Sequence, residues 1–283
     1  MKETRAEYLP IQKLRPFEGH PFKVADNEEM DQLTWSILTQ GLLTPLVVRP
    51  LGNDEYEVIS GHRRLHACKK AGVETVPALI TDMDRDAAAI ALVDSNLHRE
   101  KILPSEKAFA YKLKADAMKR YGKPNLGQVV PDYDSTRTTA EIGESSGESY
   151  KTVQRYIRLT NLIPGILEKV DEGKIALTPA VELSYLTETE QANLLETMES
   201  EDCTPSLSQA IALKQSSQNG NLTMDRIFTI MTQPKANQRE KISFRTDEVR
   251  KFFPKDYTPA QMQAVILKLL DEYQRKRQRD LAR

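Results

Sequence analysis

The sequence predicts an α+β N-terminal domain, then an all-α domain, then a small C-terminal helical unit. Two patterns predict this. Over residues 1–122 short β-type runs alternate with amphipathic helical spacings, whereas from Thr138 to about Lys214 the apolar positions keep a helical period. At 283 residues the chain has room for two or three domains that each bury a core.

In the first domain, Asp26 or Asn27 caps a helix from about Glu28 to Gln40, with Met30, Leu33 and Ile37 on one face and Gly41 ending it. Leu46-Val47-Val48-Arg49 and Tyr56-Glu57-Val58-Ile59 read as paired strands across a turn at Gly52-Asn53-Asp54. The second strand turns at Gly61 into a helix, and Gly72 punctuates before a short strand, Val76-Pro77-Ala78-Leu79-Ile80. The proline predicts an edge position for that strand. An alanine-rich helix from about Asp84 to Val93 follows. After a polar segment, Pro104 opens another helix with Phe109, Leu113 and Ala117 on one stripe and Gly122 at its end.

The second domain, 123–215, begins with a stretch rich in Pro, Gly, Asp, Ser and Thr that predicts a loop or hinge as far as Arg137. Residues 216–240 contain two polar runs and read as a linker. The C-terminal unit, 241–283, opens with the strand-like Ile242-Ser243-Phe244. Thr258-Pro259-Ala260-Gln261 then forms a capping-box pattern for a last helix. Its stripe Met262, Ile266, Leu269, Tyr273 packs on its own unit or pairs with a second chain. The basic run from Arg275 to Arg279 is by default solvated, and it suits non-specific DNA affinity.

Composition narrows the function. A net charge of −1 argues against a protein that coats nucleic acid through bulk positive charge, so any DNA contact must come from local patches. The two cysteines, Cys68 and Cys203, are isolated, which argues against a disulfide framework or a Cys-based zinc site. No apolar run is long enough for a bilayer and the first residues lack a signal-peptide apolar core. The expectation is a cytoplasmic protein without a membrane partner.

Three constellations carry chemistry. Gly61-His62-Arg63-Arg64 places a strand-to-helix turn, a helix N-terminus and two guanidiniums together, which suits a phosphate. Ser95-Asn96-Leu97-His98-Arg99-Glu100, between two predicted helices, offers an amide, an imidazole, a guanidinium and a carboxylate, though a plain capping turn reads equally well. Residues Thr138 to Arg158 fit a helix-turn-helix. Thr138 and Glu141 cap the first helix, Gly143 allows close crossing, Gly147 turns the chain and Ser149 caps the second helix. With Val153 and Ile157 buried, Ser149, Lys151, Thr152, Gln154, Arg155 and Arg158 are the candidate DNA contacts, against the plainer reading of a helical hairpin with a charged face. His62 and His66 stand one turn apart, but no HExxH pattern or third ligand accompanies them.

Over roughly residues 8–190 the chain resembles the ParB/RepB/Spo0J-type partition family, which segregates plasmids, chromosomes or mobile elements, and especially its members on bacterial plasmids and integrative elements. Gly41-Leu42-Leu43-Thr44-Pro45-Leu46-Val47-Val48-Arg49 resembles the family's early nucleotide-pocket segment, and Gly61-His62-Arg63-Arg64 its Gly-Glu-Arg-Arg phosphate motif. Asn96-Leu97-His98-Arg99, followed by Leu103-Pro104-Ser105-Glu106, resembles its Glu-Asn-Leu-Gln-Arg and Asn-Pro motif. The resemblance implies a ParB-like CTP-binding N-terminal domain, with Thr44, Pro45, Gly61, His62, Arg63, Arg64, Asn96, Arg99 and Glu100 at the nucleotide and Asn96 at a Mg2+ ion. It also implies a homodimer on a double-stranded DNA partition site, closing as a CTP-dependent clamp, with a ParA-like ATPase partner and a nucleoid-associated location.

Departures from the family pattern predict slow CTP turnover or none. Ser95 and His62 stand where the family has glutamates, and His20-Pro21-Phe22 stands for its Gln-Pro-Arg. Two alternatives stay open. One is a transcriptional or nucleoid-associated regulator without nucleotide switching. The other is a sulfiredoxin-like enzyme, disfavoured because no cysteine sits beside the phosphate arginines.

Overall fold

The computed structural model describes residues 4–99, 101–120, 135–233, 249–254 and 256–281. It divides into two units, Met1–Gln233 and Pro234–Arg283.

The first unit is built on a five-stranded mixed sheet of order β1-β5-β3-β4-β2, formed by β1 (Thr4–Pro10), β2 (Leu14–Pro16), β3 (Leu46–Gly52), β4 (Glu55–Ser60) and β5 (Thr75–Thr81). β3 and β4 pair antiparallel across the expected turn, where Asn53 and Asp54 both take positive φ. Both faces of the sheet are covered, and alternation along β4 divides its side chains between them. Val58 joins Met30, Ile37 and Leu65 from helices α1 (Glu28–Gln40) and α2 (His62–Lys70). Ile59 joins Leu92, Val93 and Ala110 from α3 (Arg85–Asn96) and α4 (Pro104–Arg120).

Local chemistry sets several of these boundaries where expected. The Asn27 side chain accepts from Met30 N and Gly41 ends α1; Asp84 accepts from Ala87 N to start α3. Three expectations need correction. β5 is not an edge strand, because β1 pairs with it along Thr4–Pro10. Pro77 is tolerated because the pairing with β3 begins one residue later, at Leu46↔Ala78. α3 runs on through Ser95 and Asn96, so these two lie in its last turn rather than between helices. Phe109 is 42% exposed instead of lying on a buried stripe. α4 instead buries small side chains on several sides, Ala108, Ala110, Ala115 and Ala117, and thereby touches three separate apolar clusters.

Residues 121–134, the greater part of the expected loop, lie outside the described residues. Helices α5 (Ser135–Ser146) and α6 (Tyr150–Leu159) then pack on each other and on α4. α5 starts before Thr138, so the expected capping box is absent. Thr138 is buried within the helix with its hydroxyl oxygen unpartnered, and Glu141 pairs with Arg137. Ser149 caps α6 as expected, accepting from Thr152 N at 3.1 Å. Helices α7 (Pro164–Asp171), α8 (Leu177–Leu183), α9 (Glu188–Ser200), α10 (Leu207–Gln218) and α11 (Met224–Thr232) close the unit around a core that includes Leu183, Leu194 and Leu213. α11 falls inside the expected linker. Its Ile227, Ile230 and Met231 are core residues, and Gln209 donates to the carbonyls of Ile230 and Met231.

Gly143 sits where the α5–α6 turn comes closest: a Cβ there would lie 2.5 Å from the Glu148 carbonyl oxygen. Alanine is the better helix former by about 1 kcal/mol. An overlap with backbone nevertheless costs about 1–3 kcal/mol, because only a shift of the whole turn relieves it. Gly143→Ala is expected to cost a net of about 0–2 kcal/mol in urea unfolding; a raised midpoint would show that the two helices can spread freely.

In the second unit, Ile242-Ser243-Phe244 lies outside the described residues. Helix α12 (Pro259–Leu281) begins with the expected capping box, Thr258 N donating to Gln261 Oε1 and Gln261 N to Thr258 Oγ1. Met262 is buried, whereas Leu269 and Tyr273 of the same stripe are exposed.

Candidate functional site

The site forms where β4 ends and α2 begins. Gly61 holds φ at +105°, a conformation L side chains rarely adopt. A Cβ there would meet Leu46 Cδ2 at 2.5 Å and Arg64 Nη2 at 3.1 Å. Glycine therefore lets the Arg64 guanidinium lie across the turn. No side chain caps α2 and no acidic residue lies in its first turn, so its N-terminus keeps its positive character.

A cleft of about 410 Å³ opens at this point, lined by Leu33, Ser60, Gly61, His62, Arg63, Arg64, Ser95, Asn96 and Arg99. Six of the nine nucleotide-site residues expected from the sequence thus converge. Thr44 and Pro45 do not line the cleft but touch it through Arg64, whose Nη1 donates to both their carbonyls at 2.7 and 2.8 Å. Glu100 lies outside the described residues.

The electrostatics favour an anion. Burial lowers the pKa of both Arg64 and Arg99, and the neighbouring Arg63 charge lowers Arg99 further. Arg63 forms an exposed pair with Glu29 at 3.0 Å. Asn96 is buried and donates from Nδ2 to Leu92 O at 2.7 Å and to Ser95 Oγ at 3.2 Å, which orients its amide. For Mg2+ this donor set fits poorly: the described lining residues offer hydroxyls and one amide oxygen but no carboxylate, the ligand a hard dication selects.

Sequence reasoning missed the support beneath His62. Its ring stacks on His20 at 3.7 Å, and its Nε2 accepts the Phe17 N–H at 3.2 Å. Burial pushes the two pKa values down, to about 3 for His62 and about 4 for His20. The loop carrying Phe17 is anchored in turn. Glu57, buried on β4, pairs with Arg49 opposite it on β3 and accepts from Glu18 N. Phe22 lies under Arg99, 5.4 Å from its guanidinium carbon. The unusual triplet His20-Pro21-Phe22 was visible in the sequence, but its packing against His62 is a long-range contact that no local pattern encodes. The one-turn pair of His62 and His66 is broken, for His66 contacts Asp26 at 3.0 Å. Cys68 is fully buried, and desolvation raises its thiol pKa, which suits a core residue rather than a sulfur nucleophile.

A second candidate surface lies on α6. Lys151, Gln154 and Arg155 are exposed, opposite buried Val153 and Leu159. Ser149 and Thr152 share a hydroxyl contact at 2.8 Å. Arg158 turns away from this surface. Its guanidinium donates to Ser184 Oγ and O at the end of α8 and lies 3.9 Å over the Tyr185 ring.

An uncapped helix N-terminus and three guanidiniums at the end of β4 give this α+β domain a cleft suited to an anion. Residues 1–97 match the family described as ParB N-terminal domain. Over those residues, about a third of the chain, the sequence is similar to a ParB N-terminal domain. A probable chromosome-partitioning protein ParB of Pseudomonas putida is 30% identical over 190 residues, 67% of this chain and 59% of the relative. Chromosome-partitioning protein Spo0J of Thermus thermophilus is 36% identical over 168 residues, 59% of this chain and 55% of the relative. The chain thus spans under two thirds of either relative. Among solved structures, C-terminally truncated ParB of Caulobacter crescentus complexed to the centromeric parS site is 22% identical, with TM-score 0.43 over 74% of this chain and 99% of that one. The same protein complexed with CTP-gamma-S is 23% identical, with TM-score 0.32 over 69% and 99%. Among the described residues no helix is long and apolar enough to cross a membrane.

Proposed function

We propose that this chain is a DNA-binding partition protein whose N-terminal cleft binds CTP and whose α5–α6 pair is a helix-turn-helix reading a symmetric DNA site. The observation that carries the reading is the convergence of Gly61, His62, Arg63, Arg64, Asn96 and Arg99 on one cleft. On this reading residues 1–122 are the nucleotide domain, 123–215 the DNA-binding part and 241–283 the dimerising unit. The exposed Leu269 and Tyr273 of α12 support a seam with a second copy. A ParA-like ATPase, a nucleoid-associated location in the cytoplasm and a clamp that closes on DNA follow from the same family reading. The two relatives described above are chromosome-partitioning proteins by name, and the plasmid or integrative-element type of the opening resemblance belongs to this proposal.

Gln154 and Arg155 are the recognition side chains, because they are exposed one turn into α6. Binding of labelled CTP to the full chain, and of the chain to palindromic partition-site DNA, tests both halves. Gln154→Ala or Arg155→Ala is expected to cost about 1–3 kcal/mol at the cognate site with little change on random DNA. An equal loss on every sequence would reduce that residue to a phosphate contact. The regulator reading, in which the cleft is vestigial, draws on Arg63 and Arg64 already being engaged by Glu29 and by the carbonyls of Thr44 and Pro45. Saturable CTP binding would dismiss it.

A further inference from the structure

We infer that the cleft takes the polyphosphate of its nucleotide as the metal-free anion, with arginines in the place of a divalent cation. The inference rests on the nucleotide reading above and concerns the charge state of what binds. Among the described lining residues the charged side chains are Arg63, Arg64 and Arg99, all cationic. Magnesium binds through oxygen ligands, usually with one or two carboxylates from the protein. Among the described lining residues the side-chain oxygens on offer are the neutral ones of Ser60, Ser95 and Asn96. His62 cannot substitute through Nε2, which accepts the Phe17 N–H. Among the described residues no group of three or more His, Cys, Asp or Glu side chains is placed to hold a metal.

Among the described residues, the acidic side chains nearest the cleft are already engaged. Glu29 bonds the cleft's own Arg63 at its exposed rim. Glu106 accepts from the backbone N–H groups of Lys23 and Leu103. Asp94, one residue before Ser95, pairs with the buried Lys114 at 2.5 Å. Meanwhile Arg63 and Arg99 repel each other across a partly desolvated space. A polyphosphate relieves that repulsion in proportion to its negative charge, and a bound magnesium ion removes part of that charge. A rigid guanidinium fork can meet phosphate oxygens directly, the role a metal would otherwise take. The cleft therefore favours the uncomplexed nucleotide.

The test is calorimetric binding of CTP, and separately of inorganic tripolyphosphate, to the full chain in EDTA and in excess Mg2+. The expected result is CTP affinity in EDTA equal to or tighter than in Mg2+, with tripolyphosphate also binding in EDTA. A weakening of CTP binding by about threefold or more on metal removal overturns the inference. Tripolyphosphate binding in EDTA without any CTP binding would keep the metal-free anion site and dismiss the nucleotide reading. Failure of both ligands under both conditions would dismiss the two together.

Discussion

Acid is expected to destabilise the N-terminal domain well before its carboxylates protonate. The stacked rings of His20 and His62 have folded pKa values of about 4 and about 3, against 6.5 for an unperturbed histidine. For both, burial is the largest cause, and the positive charge of Arg99 lowers them further; for His62 the stacked His20 ring contributes as well, and a hydrogen bond with the Phe22 backbone partly offsets the shift of His20. Between these values and 6.5 the unfolded chain holds protons that the folded chain refuses, so stability rises with pH. The contribution is complete above about pH 7, shrinks as pH falls below 6.5, and levels off only below the folded values. Each histidine is worth about 1.4 kcal/mol per pH unit in that window, so the pair costs on the order of 2–4 kcal/mol by pH 5. His20→Phe keeps an aromatic ring against His62 and removes one titrating group. Urea midpoints from pH 7.5 to 5 should fall about half as steeply for His20→Phe as for the parent. Equal slopes would mean that the stack opens to water before it titrates.

The sequence disclosed what is encoded by neighbours along the chain. α1 was readable to its ends because Asn27 and Gly41 terminate it chemically, and the β4–Gly61–α2 turn because only glycine holds its backbone there. Elements held by distant partners were not readable. β1 is mostly exposed and polar, so nothing in Thr4–Pro10 announces a strand until β5 is beside it. α11 was obscured by the polar runs on either side of it, although Thr223 caps it and Ile227 and Ile230 fill the core. The same division runs through the site. The arginines and Asn96 carry their chemistry in their own side chains. The His20 stack and the Phe17 N–H bond exist only because a loop folds over the end of β4.

Replacing Arg64 should have the largest effect on ligand binding of any single change in the cleft. Its Nη1 spans two backbone carbonyls while Nη2 lies over Gly61 at the open end of α2, so it joins the Thr44–Pro45 segment to the anion position. Charge-assisted hydrogen bonds are worth about 1.5–3 kcal/mol each, so Arg64→Ala should weaken CTP binding by about one hundredfold. It should also lower the thermal midpoint, because two carbonyls lose their donor. Arg63 differs in kind. Its partner Glu29 is 71% exposed, and such surface pairs contribute about 0–1 kcal/mol. Arg63→Ala should therefore leave the thermal midpoint nearly unchanged and weaken CTP binding by about tenfold. Arg64→Lys supplies the charge without the fork: a single ammonium cannot serve two carbonyls and a phosphate together, so its affinity should lie between the parent and Arg64→Ala. Titrations of CTP into the three variants, each with its melting curve, decide the matter. A folded Arg64→Ala chain that binds CTP like the parent would move the phosphate site away from the α2 N-terminus.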